Sequence, residues 1–181
     1  MIWAIIGIIA VAVLVPAFWW ISTSNRFKRM DIKISEALSG IEVALTKRFD
    51  MLTKLLDVAR GYKQHETELF AEVIKLRKGM SVGELNQAAA KMDDMASSLR
   101  VVVEAYPELR SSDVFRALQA GIRDAEEHLQ AARRLYNSNV TAFNTAVKVF
   151  PSSIVAKSQN AVEREFFAAE KTKRGDVAMG F

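Results

Sequence analysis

The chain opens with an uninterrupted apolar run and then repeats apolar residues at intervals of three and four. That interval is the period of one helix face, so it predicts a long first helix from about residue 26 to residue 78. Gly61 is the position at which we expect this helix to bend or divide. The predicted core positions of the first helix are Ile34, Leu38, Ile41, Leu45, Phe49, Leu52, Leu55, Leu56, Ala59, Phe70, Val73 and Ile74.

A second helix is predicted to begin at Ser81. Ser81 is followed three residues later by Glu84, which is the pattern of a capping box at a helix N-terminus. Tyr106-Pro107 ends this helix, because proline cannot continue it. Its predicted core positions are Leu85, Met92, Leu99 and Val103.

A third helix is predicted to begin near Ser112 or Asp113 and to end before Pro151. Its predicted core positions are Phe115, Leu118, Ile122, Ala125, Leu129, Ala132, Tyr136, Val140, Phe143, Val147 and Phe150. A shorter helix is predicted to close the fold, with Val162, Phe166 and Phe167 as its apolar residues.

These patterns predict an all-α fold, an N-terminal transmembrane helix followed by an elongated antiparallel up-and-down helical bundle. Three long helices and the shorter C-terminal helix make up the bundle. Short connections at 79–80 and 108–111 lead us to expect sequential helices to be antiparallel neighbours. The predicted domains are a transmembrane anchor (1–22), a helical bundle (23–170) and a mobile C-terminal tail (171–181).

Residues 1–22 are predicted to form a membrane anchor. The run from Met1 to Ile21 has no charged side chain and has about the length that a helix needs to cross a bilayer. A cleaved signal peptide needs a basic stretch before its apolar run and small residues at a cleavage site, and this run offers neither convincingly, so we predict a signal-anchor. The residues that mark the anchor and its interfaces are Ile2, Trp3, Pro16, Trp19 and Trp20.

Basic residues cluster directly after the apolar run. They are Arg26, Lys28, Arg29 and Lys33, and no basic residue precedes the run. The positive-inside rule therefore predicts a single-pass protein with its N-terminus outside and its bundle in the cytoplasm.

Composition narrows the classes of function. The chain has 181 residues, 25 basic against 21 acidic side chains, and no cysteine. The near balance of charge, with no basic stripe, predicts no nucleic-acid partner. Without cysteine there is no disulfide and no thiolate metal site.

Polar residues next to the apolar stripes form a candidate polar seam. At about 100° per residue, Glu126, Arg133, Asn137 and Asn144 fall in one row of the third helix, and Arg48 lies near the apolar face of the first. The full polar seam is Arg48, Glu104, Tyr106, Glu126, Arg133, Asn137 and Asn144. Arg48 could pair with Glu104 or Glu126, or extend to the surface. The seam is either a ligand or partner surface, or an interhelical hydrogen-bond network that fixes register.

The motifs of enzymes are missing. Neither His65 nor His128 has a Glu three residues before it, as di-iron bundles require. No phosphate-binding glycine loop and no G-x-S-x-G elbow occur. We therefore predict a protein that is not an enzyme, with no catalytic residue, metal, cofactor or small-molecule substrate.

Three blocks in order along the chain resemble the LemA family of bacterial membrane-anchored helical proteins. They are "KRFDMLTKLLDVARGYKQHE" (47–66), "EAYPELRSSDVFRALQ" (104–119) and "ARRLYNSNVTAFNTAVKVFPSSIVA" (132–156), followed by "EFF" (165–167). The family usually has Pro and Asn where this chain has Thr53 and Lys54. The resemblance implies an N-terminal anchor with the amino end outside and a cytoplasmic helical bundle.

The leading hypothesis is a non-catalytic membrane-anchored scaffold or adaptor at the bacterial inner membrane. It would act through self-association as a homo-oligomer or through other membrane proteins, with membrane lipid as a further partner. One alternative is a membrane-shaping or lipid-organising protein, in which Arg26, Lys28 and Arg29 gather anionic lipid. The other is a ligand sensor or unrecognised enzyme that uses the polar seam.

Overall fold

The computed structural model describes residues 1–60, 76 and 79–167. Every regular element within these residues is an α-helix, as predicted. The order is α1 (Ile2–Arg60), α2 (Val82–Ala105), α3 (Pro107–Ser111), α4 (Asp113–Lys148) and α5 (Ser152–Ser158). The predicted tail at 171–181, the predicted bend at Gly61 and the apolar positions Phe70, Val73 and Ile74 lie outside the described residues.

α1 runs without a break from the apolar N-terminal run into the packed part of the fold. Pro16 lies inside the helix, and the residues around it are exposed. α1 is long and apolar enough, by length and composition, to cross a membrane near the N-terminus. The same helix therefore supplies both the candidate anchor and a core element.

The chain divides into two compact units. Unit 1 consists of Met1–Ala37 and Leu135–Glu165, and unit 2 of Leu38–Arg134 with Phe166–Phe181. In unit 1 the end of α4 packs on α1, with the rings of Phe27 and Phe143 edge to face at 5.8 Å. The buried apolar residues of unit 1 include Phe27, Ile34, Ala37, Tyr136, Val140, Phe143, Ala146, Val155 and Ala156.

Within the described residues of unit 2, α1, α2 and α4 pack together as a helical bundle. α4 runs antiparallel to α1, because Lys47 pairs with Asp124 while Gly40 lies beside Ala132. The core residues of unit 2 with no more than 1% of their surface exposed are Ile41, Leu45, Leu52, Leu85, Met92, Leu99, Leu109, Ala125 and Leu129.

α2 runs in the same direction as α1, which differs from the predicted antiparallel order. The Gly79 N–H donates to Glu42 Oε1 over 3.3 Å, and further along both helices Arg48 pairs with Asp93. α2 therefore begins beside the middle of α1 and not beside its end. The prediction joined the two helices through a short turn after residue 78, whereas α1 is described only to Arg60.

The predicted helix boundaries at α2 and α4 are confirmed. The Ser81 N–H donates to Glu84 Oε2 over 2.7 Å and the Glu84 N–H donates to Ser81 Oγ over 3.2 Å, which is the complete capping box. α2 ends at Ala105, and Ser112 Oγ accepts from the Phe115 N–H at the start of α4. Gly79, just before α2, has a φ of 80°, a conformation that favours glycine.

The C-terminal part of the fold differs from the prediction. The last described helix is α5, and residues 161–167 after it are not helical. Phe167 is buried as predicted, but Val162 and Phe166 are exposed because helical periodicity does not apply to a non-helical segment. Phe150 is also exposed, since it lies past the last residue of α4.

Candidate functional site

The guanidinium of Arg48 is a buried charge of unit 2 that pairs with carboxylates of two other helices. Arg48 is 6% exposed, its Nη2 lies 2.6 Å from Asp93 Oδ1 on α2, and its Nε lies 3.1 Å from Glu126 Oε2 on α4. The contact with Glu126 has the distance of an ion pair but not the geometry of a hydrogen bond. One cation thus links α1 to both of the helices packed on it. We call Arg48, Asp93 and Glu126 the ion cluster.

The helical spacing of α1 explains why Arg48 is inside. Arg48 lies three residues after Leu45 and four before Leu52, both fully buried, so it falls within the apolar stripe. Its neighbour Lys47 lies at the edge of that stripe and pairs with Asp124 on α4 at the surface. The hydrogen bond from Lys47 lowers the pKa of Asp124.

A partly open cavity of about 220 Å³ lies in unit 2. Leucine, isoleucine, valine and alanine side chains of α1, α2 and α4 line most of it, and Arg100, Gln119 and Arg123 supply its polar groups. None of the polar-seam residues lines this cavity. Its shape and lining fit a small ligand with an apolar body and a negative charge.

Asn144 holds the segment after α5 in unit 1. Its Nδ2 donates to the Arg164 carbonyl over 2.9 Å, and its Oδ1 accepts from the Arg164 N–H over 2.8 Å. The carboxamide therefore bonds both the N–H and the carbonyl of Arg164, as a paired residue of a neighbouring β-strand would. Tyr136 adds a third bond, since its hydroxyl donates to the Glu165 carbonyl over 2.9 Å. Burial, followed by the charge of Glu165, raises the pKa of Tyr136.

The side chain of Arg164 joins the same segment to α1. Its Nη2 lies 2.6 Å from Asp31 Oδ1, and its guanidinium lies over the Phe143 ring at 5.5 Å. Lys148 at the end of α4 pairs with Glu163 over 2.8 Å. We call residues 161–165 the C-terminal strap, because these bonds tie it across α1 and α4.

The structure places the rest of the polar seam in separate surroundings. In unit 2 the Arg133 guanidinium lies over the Phe167 ring at 5.1 Å, Glu104 is exposed near the end of α2, and Tyr106 is half-buried before α3. In unit 1 Asn137 is half-buried, and its carbonyl accepts from Thr141. Of the predicted partners of Arg48, the structure shows Glu126 and not Glu104.

The predicted anchor and juxtamembrane residues lie along α1. Ile2, Trp3 and Trp20 are exposed and Trp19 is half-buried. The basic residues that follow are all exposed, namely Arg26, Lys28, Arg29 and Lys33. Their charges are therefore exposed directly after the apolar run.

Metal-binding geometry does not occur within the described residues, where no three His, Asp or Glu side chains come together. His128 is exposed and lies 3.4 Å from Asp124. His65 lies outside the described residues.

Sequence reasoning missed Asp93, Asp31 and Arg164. Asp93 looked like an ordinary surface acid beside Asp94, and only the packing of α2 against Arg48 distinguishes the two. Asp31 and Arg164 are far apart in the chain, so no local pattern could pair them. A weak signal was available for Arg164, because it precedes the "EFF" block.

Together these features define a class, the all-α helical-bundle proteins with a candidate single-pass N-terminal membrane helix. The model of the LemA family matches residues 37–181. This chain therefore belongs to the LemA family. Protein LemA of Metamycoplasma hominis is 26% identical to it over 165 residues, covering 88% of this chain and 75% of that protein.

Proposed function

We propose that this protein is a non-catalytic scaffold or adaptor, anchored in the bacterial inner membrane by the N-terminal part of α1. It acts through self-association or through protein partners, with the N-terminus outside and the bundle in the cytoplasm. The observation that carries the proposal is the continuity of α1, which extends from the apolar run into the bundle core as one helix. A partner bound to the bundle is thereby held at the membrane.

The use of the buried polar groups supports a structural role. Arg48 links three helices, and both polar atoms of the Asn144 carboxamide hydrogen-bond the backbone of the C-terminal strap. The ion pairs and hydrogen bonds of these groups fix the positions of the helices and of the strap, as polar networks do in other helical bundles.

The experiment is to measure the mass of the full-length protein in a mild detergent and to crosslink it in cells. The proposal expects either a regular oligomer or a stable complex with another membrane protein. A monomer in detergent, with no crosslinked partner above background, contradicts it.

A second candidate function, organisation of lipid, is favoured by the exposed basic residues after the apolar run. Clusters of this kind attract anionic lipid by about 1 kcal/mol per charge near the surface. Charge reversal at Arg26, Lys28 and Arg29 should then reduce the enrichment of anionic lipid around the reconstituted protein. Unchanged enrichment argues against this function.

A third candidate function, ligand sensing, is favoured by the cavity in unit 2. Its apolar walls, with Arg100 and Arg123 among its lining residues, suit a short-chain carboxylate. Octanoate should raise the melting temperature of the native protein, and Arg123→Gln should abolish that shift without lowering the melting temperature itself. The matched control is Arg116→Gln, an exposed arginine of the same helix outside the cavity. No shift in the native protein argues against the site.

A further inference from the structure

The register between α4 and α1 in unit 1 brings the end of α4 to the level of the candidate membrane span. Asn139 Nδ2 donates to the Lys33 carbonyl over 3.0 Å, and four residues later the Phe143 ring meets Phe27. Each residue further along α4 thus lies beside an earlier residue of α1. Lys148, the last residue of α4, is five residues past Phe143, which is about 8 Å at 1.5 Å per residue. The end of α4 is therefore about level with Ser22, next to the end of the apolar run, and Val149 and Phe150 follow it directly.

A second contact places α5 at the same height. Gln159, the residue directly after α5, donates from its side chain to Ser24 Oγ. Ser24 lies three residues past Ile21, the end of the apolar run. The C-terminal strap then runs along α1 to Asp31, where Arg164 pairs. The corner between α4 and α5 is thus the part of the packed fold that lies next to the apolar run. We call residues 148–157 the α4–α5 corner.

The α4–α5 corner exposes large apolar side chains while its other face is buried. Phe150 is 76% exposed, Val149 52% and Ile154 48%, whereas Val155 and Ala156 are buried. Three exposed apolar side chains grouped in ten residues are unusual on a water-facing surface. Their position beside the apolar run explains them.

The charge of the α4–α5 corner matches an anionic membrane surface. Between Lys148 and Val162 there is no acidic residue, Lys148 pairs with Glu163 of the C-terminal strap, and Lys157 is exposed, so Lys157 carries the net positive charge of the corner. Basic residues that flank exposed apolar side chains are typical of segments lying in the interface of a bilayer.

We propose that the α4–α5 corner is a second membrane contact, which inserts Val149, Phe150 and Ile154 into the interface of the bilayer that α1 spans. The occupant of this apolar surface is lipid. The inference rests on the membrane anchor of the proposed function, and it adds a point at which the bundle itself touches the membrane. Two contacts restrict the tilt of unit 1 on the bilayer, whereas one helix alone does not.

The test uses the absence of cysteine in the native chain. A single cysteine is introduced into the full-length protein at position 150 (Phe150→Cys), labelled with the environment-sensitive dye NBD, and the protein is reconstituted in vesicles of phosphatidylcholine and phosphatidylglycerol. Phe150 is exposed, so the label does not disturb the core. The matched control is Leu135→Cys, an apolar residue of α4 that is 58% exposed and lies fifteen residues before position 150.

We expect the label at position 150 to emit at shorter wavelength than the label at 135 and to be quenched at least twofold more by brominated lipid. Equal, weak quenching at 150 and 135 overturns the proposal. A shift to shorter wavelength at 150 without quenching by brominated lipid also overturns it, because the surface is then covered by protein, for example a second copy.

A third labelled position separates this inference from the anchor. Ile9→Cys lies within the apolar run and should be quenched by lipid wherever the anchor spans the bilayer. Quenching at position 9 without quenching at 150 refutes the second contact and leaves the anchor intact. No quenching at position 9 refutes the anchor, and with it the bilayer contact inferred for the corner.

Discussion

At the scale of single residues, Arg48 and Asn144 are buried polar side chains with partners on other elements. Arg48 is stabilised by carboxylates on α2 and α4, and Asn144 by the backbone N–H and carbonyl of Arg164 in the C-terminal strap. A buried charge or amide without such partners costs more than it contributes. Asn139 and Asn144, although asparagine is a weak helix former, each use their side chain to bond another element.

Removal of Arg48 tests the ion cluster. Arg48→Met keeps the volume of the side chain but leaves Asp93 and Glu126 without their cation, so we expect a loss of about 2 kcal/mol in the free energy of unfolding. The loss is modest for a buried pair because both carboxylates are about 30% exposed and can rehydrate. Urea unfolding of the full-length protein in detergent, followed by circular dichroism, measures it.

The control for this prediction is Lys47→Met. It breaks the exposed pair with Asp124 one residue away, and exposed pairs contribute little to stability. We expect no measurable change. An equal loss of stability in both variants would show that the cluster has no special role.

Tyr136 gives a prediction about pH. Its pKa is raised above the ordinary value of 10.0, first by burial, so the folded state holds the phenolic proton more tightly than the unfolded state does. The stabilisation is therefore complete below about pH 10 and is lost as the pH rises from there towards the raised pKa. Tyr136→Phe cannot titrate, so the stability advantage of the native protein over this variant should shrink above pH 10.

Urea midpoints at pH 7 and pH 10.5 measure this effect. Tyr106→Phe is the control, and it should keep the alkaline loss that Tyr136→Phe removes. A constant difference between the native protein and Tyr136→Phe across this range is incompatible with the raised pKa.

At the scale of elements, the C-terminal strap depends on α4 for its position. Residues 161–165 form no helix of their own, and side chains of α4 hydrogen-bond the backbone of Arg164 and Glu165. α1 contributes the carboxylate of Asp31. The strap is therefore an element whose conformation is set by side chains of its neighbours.

Removal of the Asn144 amide should release the strap. Asn144→Ala removes two part-buried hydrogen bonds to the Arg164 backbone, so we expect a loss of about 2 kcal/mol and faster hydrogen exchange at Arg164. Hydrogen exchange with mass spectrometry on the peptide that covers the strap measures this. Asn139→Ala is the matched control, because it removes a bond to α1 and leaves the strap bonds in place. Unchanged protection of the strap in Asn144→Ala would contradict its assigned role.

At the scale of the whole molecule, α1 is the element shared by the candidate anchor and both compact units. The proposed topology puts the basic residues after the apolar run on the cytoplasmic side. A cysteine at Val101, which is 67% exposed on α2, should then react with an impermeant maleimide only after the inner membrane is opened. Reaction in intact spheroplasts would reverse the proposed orientation.

A variant tests the cause of that orientation. Basic residues added before Ile2, together with Arg26→Gln, Lys28→Gln and Arg29→Gln, should make the Val101→Cys label accessible in intact spheroplasts. The physical reason is that positive residues near the ends of a span are retained in the cytoplasm. An unchanged labelling pattern would mean that these charges do not set the orientation.

The sequence by itself determined the long helices of this protein. The apolar period, the Ser81 capping box and the prolines at 107 and 151 act within one or two helical turns, so they can be recognised from the sequence alone. The same local information predicted the buried faces of α2 and most of those of α1 and α4. The apolar run before Arg26 likewise needs no tertiary context to be recognised as a candidate span.

Only the tertiary structure decided how the elements are joined. The direction of α2, the choice of Asp93 for Arg48 and the bonds of the C-terminal strap depend on residues far apart in the chain. No helical period encodes which distant group will come within 3 Å of another. The place of the exposed α4–α5 corner has the same origin, because the corner comes next to the end of the apolar run only when α4 packs against α1 and Gln159 bonds Ser24.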